Sequence, residues 1–144
     1  VKLIYPVHMN PEIRGIAEEM LAGEERIMLT KPLGVVDFHH ILDNSFLVLT
    51  DSGGIQEEAS AMGIPTVVMR RNTERCEGIR AGVLRLAGSG EEEIYRLTSS
   101  LLTPGSEEYA AMKRPSAVFG DGRASARIAD ALEKLSPFPK RSCV

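Results

Sequence analysis

Short apolar runs alternate with stretches of helical spacing along most of the chain. Leu3-Ile4-Tyr5-Pro6-Val7 reads as a strand. Ile13, Ile16, Ala17, Met20 and Leu21 then recur at the spacing of one helix face, with Asn10 as cap, Pro11 at the first helical position and Gly23 as stop. Ile27 to Leu29 reads as a second strand and Thr30 to Gly34 as a turn. Val35, Phe38, His39, Ile41 and Leu42 give the mixed face of a second helix, ended by Asn44. Ser45 to Leu49 reads as a buried strand, and Ile55 to Met62 as a helix closed by Gly63. The strands Thr66 to Met69 and Val83 to Ala87 flank a short helix around Glu77 to Ala81. Helices over Glu91 to Leu102, Glu107 to Arg114 and Ala124 to Leu135 complete the pattern, the last preceded by Gly120-Asp121-Gly122.

Strands alternating with helices predict an α/β fold with a parallel, doubly wound sheet. We expect about five strands and six or seven helices in one Rossmann-like layer stack over residues 1–135. Residues 136–144 are expected to form a disordered tail. Of the 144 residues, 43% are hydrophobic and 26% charged, enough apolar material for a packed core. The net charge of −3 gives nucleic acid or an anionic membrane nothing to select. No apolar run approaches the roughly 20 residues of a membrane span. Two cysteines, Cys76 and Cys143, make no disulfide framework, so a reduced, cytoplasmic setting is expected.

The chemistry concentrates where the strand around Leu49 meets the next helix, at Thr50-Asp51-Ser52-Gly53-Gly54. A strand, a glycine turn and a helix start together suit a phosphate, because the first helical N–H groups lack internal partners and carry the positive end of the dipole. The glycines let a diphosphate approach the backbone, and Asp51 or Ser52 can cap the helix. The following strand ends in Met69-Arg70-Arg71-Asn72-Thr73-Glu74-Arg75-Cys76, which brings three arginines to the same end of a parallel sheet, where ligands bind.

Four segments occur in a fixed order: Tyr5-Pro6-Val7-His8-Met9-Asn10-Pro11, Leu49-Thr50-Asp51-Ser52-Gly53-Gly54-Ile55-Gln56-Glu57-Glu58-Ala59, Val68-Met69-Arg70-Arg71-Asn72-Thr73-Glu74-Arg75 and Gly120-Asp121-Gly122-Arg123-Ala124. Together they resemble the non-hydrolysing UDP-N-acetylglucosamine 2-epimerases over about residues 1 to 135. The resemblance implies a GT-B fold of two Rossmann-like domains with the active site between them. It implies interconversion of UDP-N-acetylglucosamine and UDP-N-acetylmannosamine for polysaccharide synthesis. UDP is eliminated to give 2-acetamidoglucal and added back with C2 inverted, without metal or nicotinamide cofactor. It makes UDP and UDP-N-acetylhexosamine the ligands, and an N-terminal domain carrying the proton-moving carboxylates a partner in the same enzyme. Homodimerisation is a further expectation. Since the chain starts at Val1, we expect the UDP-binding C-terminal part alone, short of the first strand of its own domain, with two strand edges unpaired and no epimerase activity in isolation.

Residue by residue, the resemblance makes His8 the catalytic candidate, beside the diphosphate and sugar. Ser52, Gly53 and Gly54 cradle the diphosphate, Glu58 takes the ribose hydroxyls and Arg75 bonds the diphosphate. Phe38 packs on uracil and Leu33 lies near that base. His39 is a candidate for a second, activator site, and no metal site is expected. From the residues themselves, Glu57 reads as helix support, Glu74 as an orienter of Arg75, and Arg70 and Arg71 as structural ion-pair partners. Ser60, Cys76, Val83 and Ala117-Val118-Phe119 depart from the family pattern, and Cys76 reads either as a reactive thiol or as a buried inert one. The alternatives are the nucleotide-sugar domain of a GT-B glycosyltransferase and a non-catalytic UDP-binding remnant.

Overall fold

The computed structural model describes residues 1–135. The chain divides into two compact units, Val1–Asn44 and the remainder from Ser45.

The first unit is β1 (Leu3–Pro6), α1 (Pro11–Leu21), β2 (Ile27–Thr30) and α2 (Val35–Asp43). β1 and β2 pair in parallel, from Leu3 opposite Ile27 to Pro6 opposite Thr30. The Asn10 side chain accepts the Glu12 N–H at 3.0 Å, and Pro11 stands at the helix start, as the sequence predicts. Val7, Ala17 and Leu42 are buried, whereas Ile16, Met20, Met28, Val35 and Val36 are exposed.

The second unit is β3 (Val48–Thr50), α3 (Gly53–Met62), β4 (Thr66–Val68), α4 (Cys76–Arg80), β5 (Leu84–Leu86), α5 (Glu91–Leu102), α6 (Glu107–Met112) and α7 (Ala124–Leu135). Its strands are parallel in the order β3-β4-β5. β4 is central and wholly buried, and its alternating side chains feed two cores. Val67 packs with Ala87, Leu97, Leu101 and Met112, on the side of α5 and α6. Val68 packs with Val83 and Leu84, joined by Ile79 of α4 and by Phe119. Helices thus cover both faces of this sheet. Gly63 ends α3 at φ 77°, and a Cβ there would lie 2.6 Å from the Pro115 nitrogen, so the left-handed turn and the close chain crossing both require glycine.

The parallel α/β class holds, and the predicted helices recur within a few residues of their expected limits. The five strands form two separate parallel sheets, of two and three strands. Hydrophobic spacing reports that a strand is buried, not which strand lies beside it. The tail expected at 136–144 lies outside the described residues. No described helix is long and apolar enough to cross a membrane.

Candidate functional site

β3 ends at Thr50 and the chain turns through Asp51 and Ser52 into α3. Ser52 occupies the N-cap position with extended backbone, but its side chain makes no capping bond. Its own N–H donates to Thr50 Oγ1 at 3.0 Å. The first internal bond of α3 is Gln56 N–H to the Ser52 carbonyl, at 3.3 Å. The expected hydroxyl cap is therefore absent, and the amides of Gly53, Gly54 and Ile55 precede the first helical bond.

Gly53 is explained by a side chain from the other loop. A Cβ at Gly53 would lie 2.7 Å from Arg75 Cζ, 2.8 Å from Nη1 and 2.9 Å from Nη2. The guanidinium thus rests on the first residue of α3, where only a glycine leaves room. Gly54 faces no comparable obstruction, since the nearest neighbour a Cβ there would meet is Glu58 Oε1, at 3.9 Å. Arg75 is held there by carboxylates on two sides. Nε and Nη2 each lie 2.8 Å from Glu57 Oε1, and Nη1 contacts Glu74. Glu74 also accepts from Arg70 Nη1 at 3.1 Å. The Glu74 carboxyl is held below the ordinary carboxylate range, first by its own backbone N–H and then by the Arg70 and Arg75 charges. A guanidinium carries more N–H donors than these contacts use, so Arg75 can still meet an incoming anion.

Glu74 orients Arg75, as read from the sequence, and Arg70 is an ion-pair residue. Glu57 does more than support the helix: it anchors Arg75 from 18 residues away. Two further residues escaped the sequence reading. Gln56 is fully buried, and its Nε2 donates to the Ser52 carbonyl at 3.2 Å. Thr73 donates to Gln56 Oε1 at 2.8 Å and accepts the Arg75 N–H at 3.1 Å. Gln56, Ala59 and Ser60 share one buried face of α3 at helical spacing. That stripe was the available signal that Gln56 points inward.

The departures from the family pattern are absorbed by packing and hydrogen bonds. Ser60 is buried, donates to the Gln56 carbonyl at 2.7 Å and offers its own carbonyl to the Ser116 N–H at 3.0 Å. Val83 fills the core. Phe119 closes over Gly78, where a Cβ would meet Phe119 Cζ at 2.9 Å and Leu84 Cδ1 at 2.5 Å. Cys76 is exposed, which removes the buried-thiol reading, and its Sγ donates to the Thr73 carbonyl at 3.2 Å. In the Gly120-Asp121-Gly122 turn, Asp121 accepts from both Nη atoms of Arg127 at 2.7 Å and from the Arg123 N–H at 3.1 Å. The Arg127 guanidinium, with the Arg123 amide, holds the Asp121 carboxyl below its usual range.

The remaining candidates belong to the first unit. His8 is exposed in the turn between β1 and α1, and its Nδ1 accepts the Asn10 N–H at 3.1 Å. An acceptor role at Nδ1 places the ring proton of the neutral imidazole on Nε2, which becomes the donor. Leu33 and Phe38 are half-buried, and the Phe38 and His39 rings are tilted with centroids 6.3 Å apart. In the second unit, Arg75 lies against Gly53, the residue after Ser52, with Gly54 and Glu58 along the same helix. Among the described residues, no three His, Cys, Asp or Glu side chains are grouped to hold a metal ion.

Comparison with known proteins adds three kinds of finding. The family profile described as UDP-N-acetylglucosamine 2-epimerase matches residues 1–133. A relative from Thermotoga maritima is 52% identical over 146 residues, covering 99% of this chain and 38% of its own length. The UDP-N-acetylglucosamine 2-epimerase of Bacillus subtilis is 48% identical over 132 residues, covering 92% of this chain and 34% of its own. Among solved structures, the Neisseria meningitidis UDP-GlcNAc 2-epimerase bound to UDP-GlcNAc superposes with a TM-score of 0.88 at 34% identity, over 92% of this chain and 36% of that one. The chain therefore spans little more than a third of the length of these relatives.

Proposed function

This chain belongs to the UDP-N-acetylglucosamine 2-epimerase family, and from that premise we propose that its 144 residues supply the UDP-holding part of an enzyme that interconverts UDP-N-acetylglucosamine and UDP-N-acetylmannosamine. The observation that carries the reading is the Arg75 guanidinium resting on Gly53 at the open head of α3. Free helical amides and a fixed cation converge there, which is the electrostatic arrangement a diphosphate requires.

Elimination leaves the bonding electrons on the departing UDP oxygen. Donors fixed in advance favour that charge because they need not reorganise as it develops. In this reading Arg75 and the amides of Gly53 and Gly54 bind the diphosphate, with the Ser52 hydroxyl free to donate to it. Glu58 accepts from the ribose hydroxyls. Phe38 packs on the uracil with Leu33 beside it, and His8 offers Nε2–H toward the leaving oxygen. His39 serves an activator site. Proton transfer at C2 falls to carboxylates elsewhere in the whole protein, which acts as a homodimer in the cytoplasm. The family match favours this over a glycosyltransferase domain. The bonded, packed state of Ser60, Val83 and Phe119 weighs against a remnant with a decayed site.

Calorimetric titration of the chain with UDP tests the proposal, with Arg75→Ala as control. Binding that weakens in the variant is expected. A folded chain that ignores UDP, or an Arg75→Ala chain that binds as well as the parent, overturns it. The 144 residues assayed alone with UDP-N-acetylglucosamine should give no UDP-N-acetylmannosamine, and measurable turnover would remove the need for catalytic groups elsewhere.

A further inference from the structure

Four groups form one directed chain of hydrogen bonds beneath the head of α3. The Arg75 N–H donates to Thr73 Oγ1 at 3.1 Å, and the Thr73 hydroxyl donates to Gln56 Oε1 at 2.8 Å. Gln56 Nε2 then donates to the Ser52 carbonyl at 3.2 Å. The direction is fixed by chemistry. The Ser52 carbonyl can only accept, so the Gln56 nitrogen faces it and the oxygen faces Thr73. The Arg75 amide can only donate, so the Thr73 proton is left for Gln56. The chain ends on the carbonyl of the Ser52–Gly53 peptide, whose N–H is the first amide of α3. Above that residue lies the guanidinium of the same Arg75.

We propose that Gln56 and Thr73 are positioning residues that couple the Arg75 loop to the Gly53 amide, so that cation and amide present to a diphosphate as one unit. This rests on the UDP-binding reading above. Gln56 is wholly buried, and an apolar core residue would fill its place without unmet polar groups. Its amide is instead bonded at both ends, the nitrogen to one loop and the oxygen to the other. Donation into the Ser52 carbonyl polarises the peptide and strengthens its N–H as a donor, because linked hydrogen bonds reinforce one another in a low dielectric. The Thr73 hydroxyl fixes the Arg75 backbone, while Glu57 and Glu74 fix its guanidinium. Neither Gln56 nor Thr73 needs to touch ligand to act this way.

The test is a double-mutant cycle on the full chain, read by UDP affinity and by melting temperature. Thr73→Val should weaken UDP binding by about tenfold, the scale of a lost bond in a charged network, and Thr73→Ser should restore it to within about twofold of the parent. In an Arg75→Ala background, the cost of Thr73→Val should largely vanish. A brace that only stabilises the fold would lower the melting temperature and leave the two losses of affinity additive. Undiminished UDP affinity in folded Thr73→Val, no rescue by serine, or strict additivity with Arg75→Ala would each overturn the coupling. If Thr73→Val does not fold, the wild-type chain answers by NMR. The buried Gln56 side-chain amide should shift with the Gly53 amide on titration with UDP, and a Gly53 shift without a Gln56 shift rejects the proposal. Arg75→Ala without effect rejects the UDP site itself, and an intact Arg75 effect with no Thr73 effect rejects only the coupling.

Discussion

Two strand-to-helix turns in this chain start from the same plan and end with opposite electrostatics. After β1, Asn10 caps α1 with its side chain, and Pro11 removes one of the amides that would need a partner. After β3, Ser52 stands at the cap position without a capping side-chain bond, and two glycines follow. The first turn closes on itself, even using the His8 ring to take the Asn10 N–H. The second leaves its amides open and sets the Arg75 guanidinium over them. A helix N-terminus is thus anion-ready only when its own sequence declines to satisfy it.

The comparison breaks first at Arg75. Arg75→Ala should cost UDP affinity about 10- to 100-fold in titration calorimetry, as removal of a charge-assisted bond of about 1.5–3 kcal/mol predicts. Gly53→Ala comes next. The new methyl meets the far end of a flexible side chain, so the guanidinium swings away at little cost in stability. We expect about a tenfold loss of UDP affinity from displacing that donor with a melting temperature near the parent's, and a fully retained affinity would show that Arg75 need not rest on Gly53. Asn10→Ala should do the reverse. Losing the α1 cap should reduce stability by about 1 kcal/mol in denaturant titration, and UDP binding that collapses in a folded variant would contradict the division between the turns.

The smallest effect is one of pH. The Glu74 carboxyl is held below its ordinary range by its own backbone N–H and by Arg70 and Arg75. A lowered carboxyl contributes stability that is present above its unfolded value and fades as pH falls through its folded value. The difference in melting temperature between the parent and Glu74→Gln should therefore be greatest near neutrality and shrink under acid conditions below the usual carboxylate range. Because Glu74 is exposed, the difference should be small and salt-sensitive. A gap that widens on acidification would refute the assigned direction.

The two units repeat the contrast at larger scale. The second has a central strand buried on both faces, and the ion pair of Arg85 Nε with Glu108 Oε1 at 2.6 Å ties β5 to α6. In the first, Met28 on β2 and Met20 on α1 remain 60% and 73% exposed.

The order of residues alone set the local terms: Asn10-Pro11 at a helix start, Gly63 at a helix end, and Gly53-Gly54 at an open one. These are choices of backbone torsion and of which amides go unsatisfied, and residues adjacent in the chain settle them. It also determined the alternation that makes Val67 and Val68 serve opposite faces. Long-range packing was needed to show that five strands form two sheets, that Glu57 anchors Arg75, and that Gln56 turns inward to meet Thr73, 17 residues on. Periodicity fixes a residue's face but not the partner opposite it. That partner is chosen when the chain closes and every buried polar group must find a match.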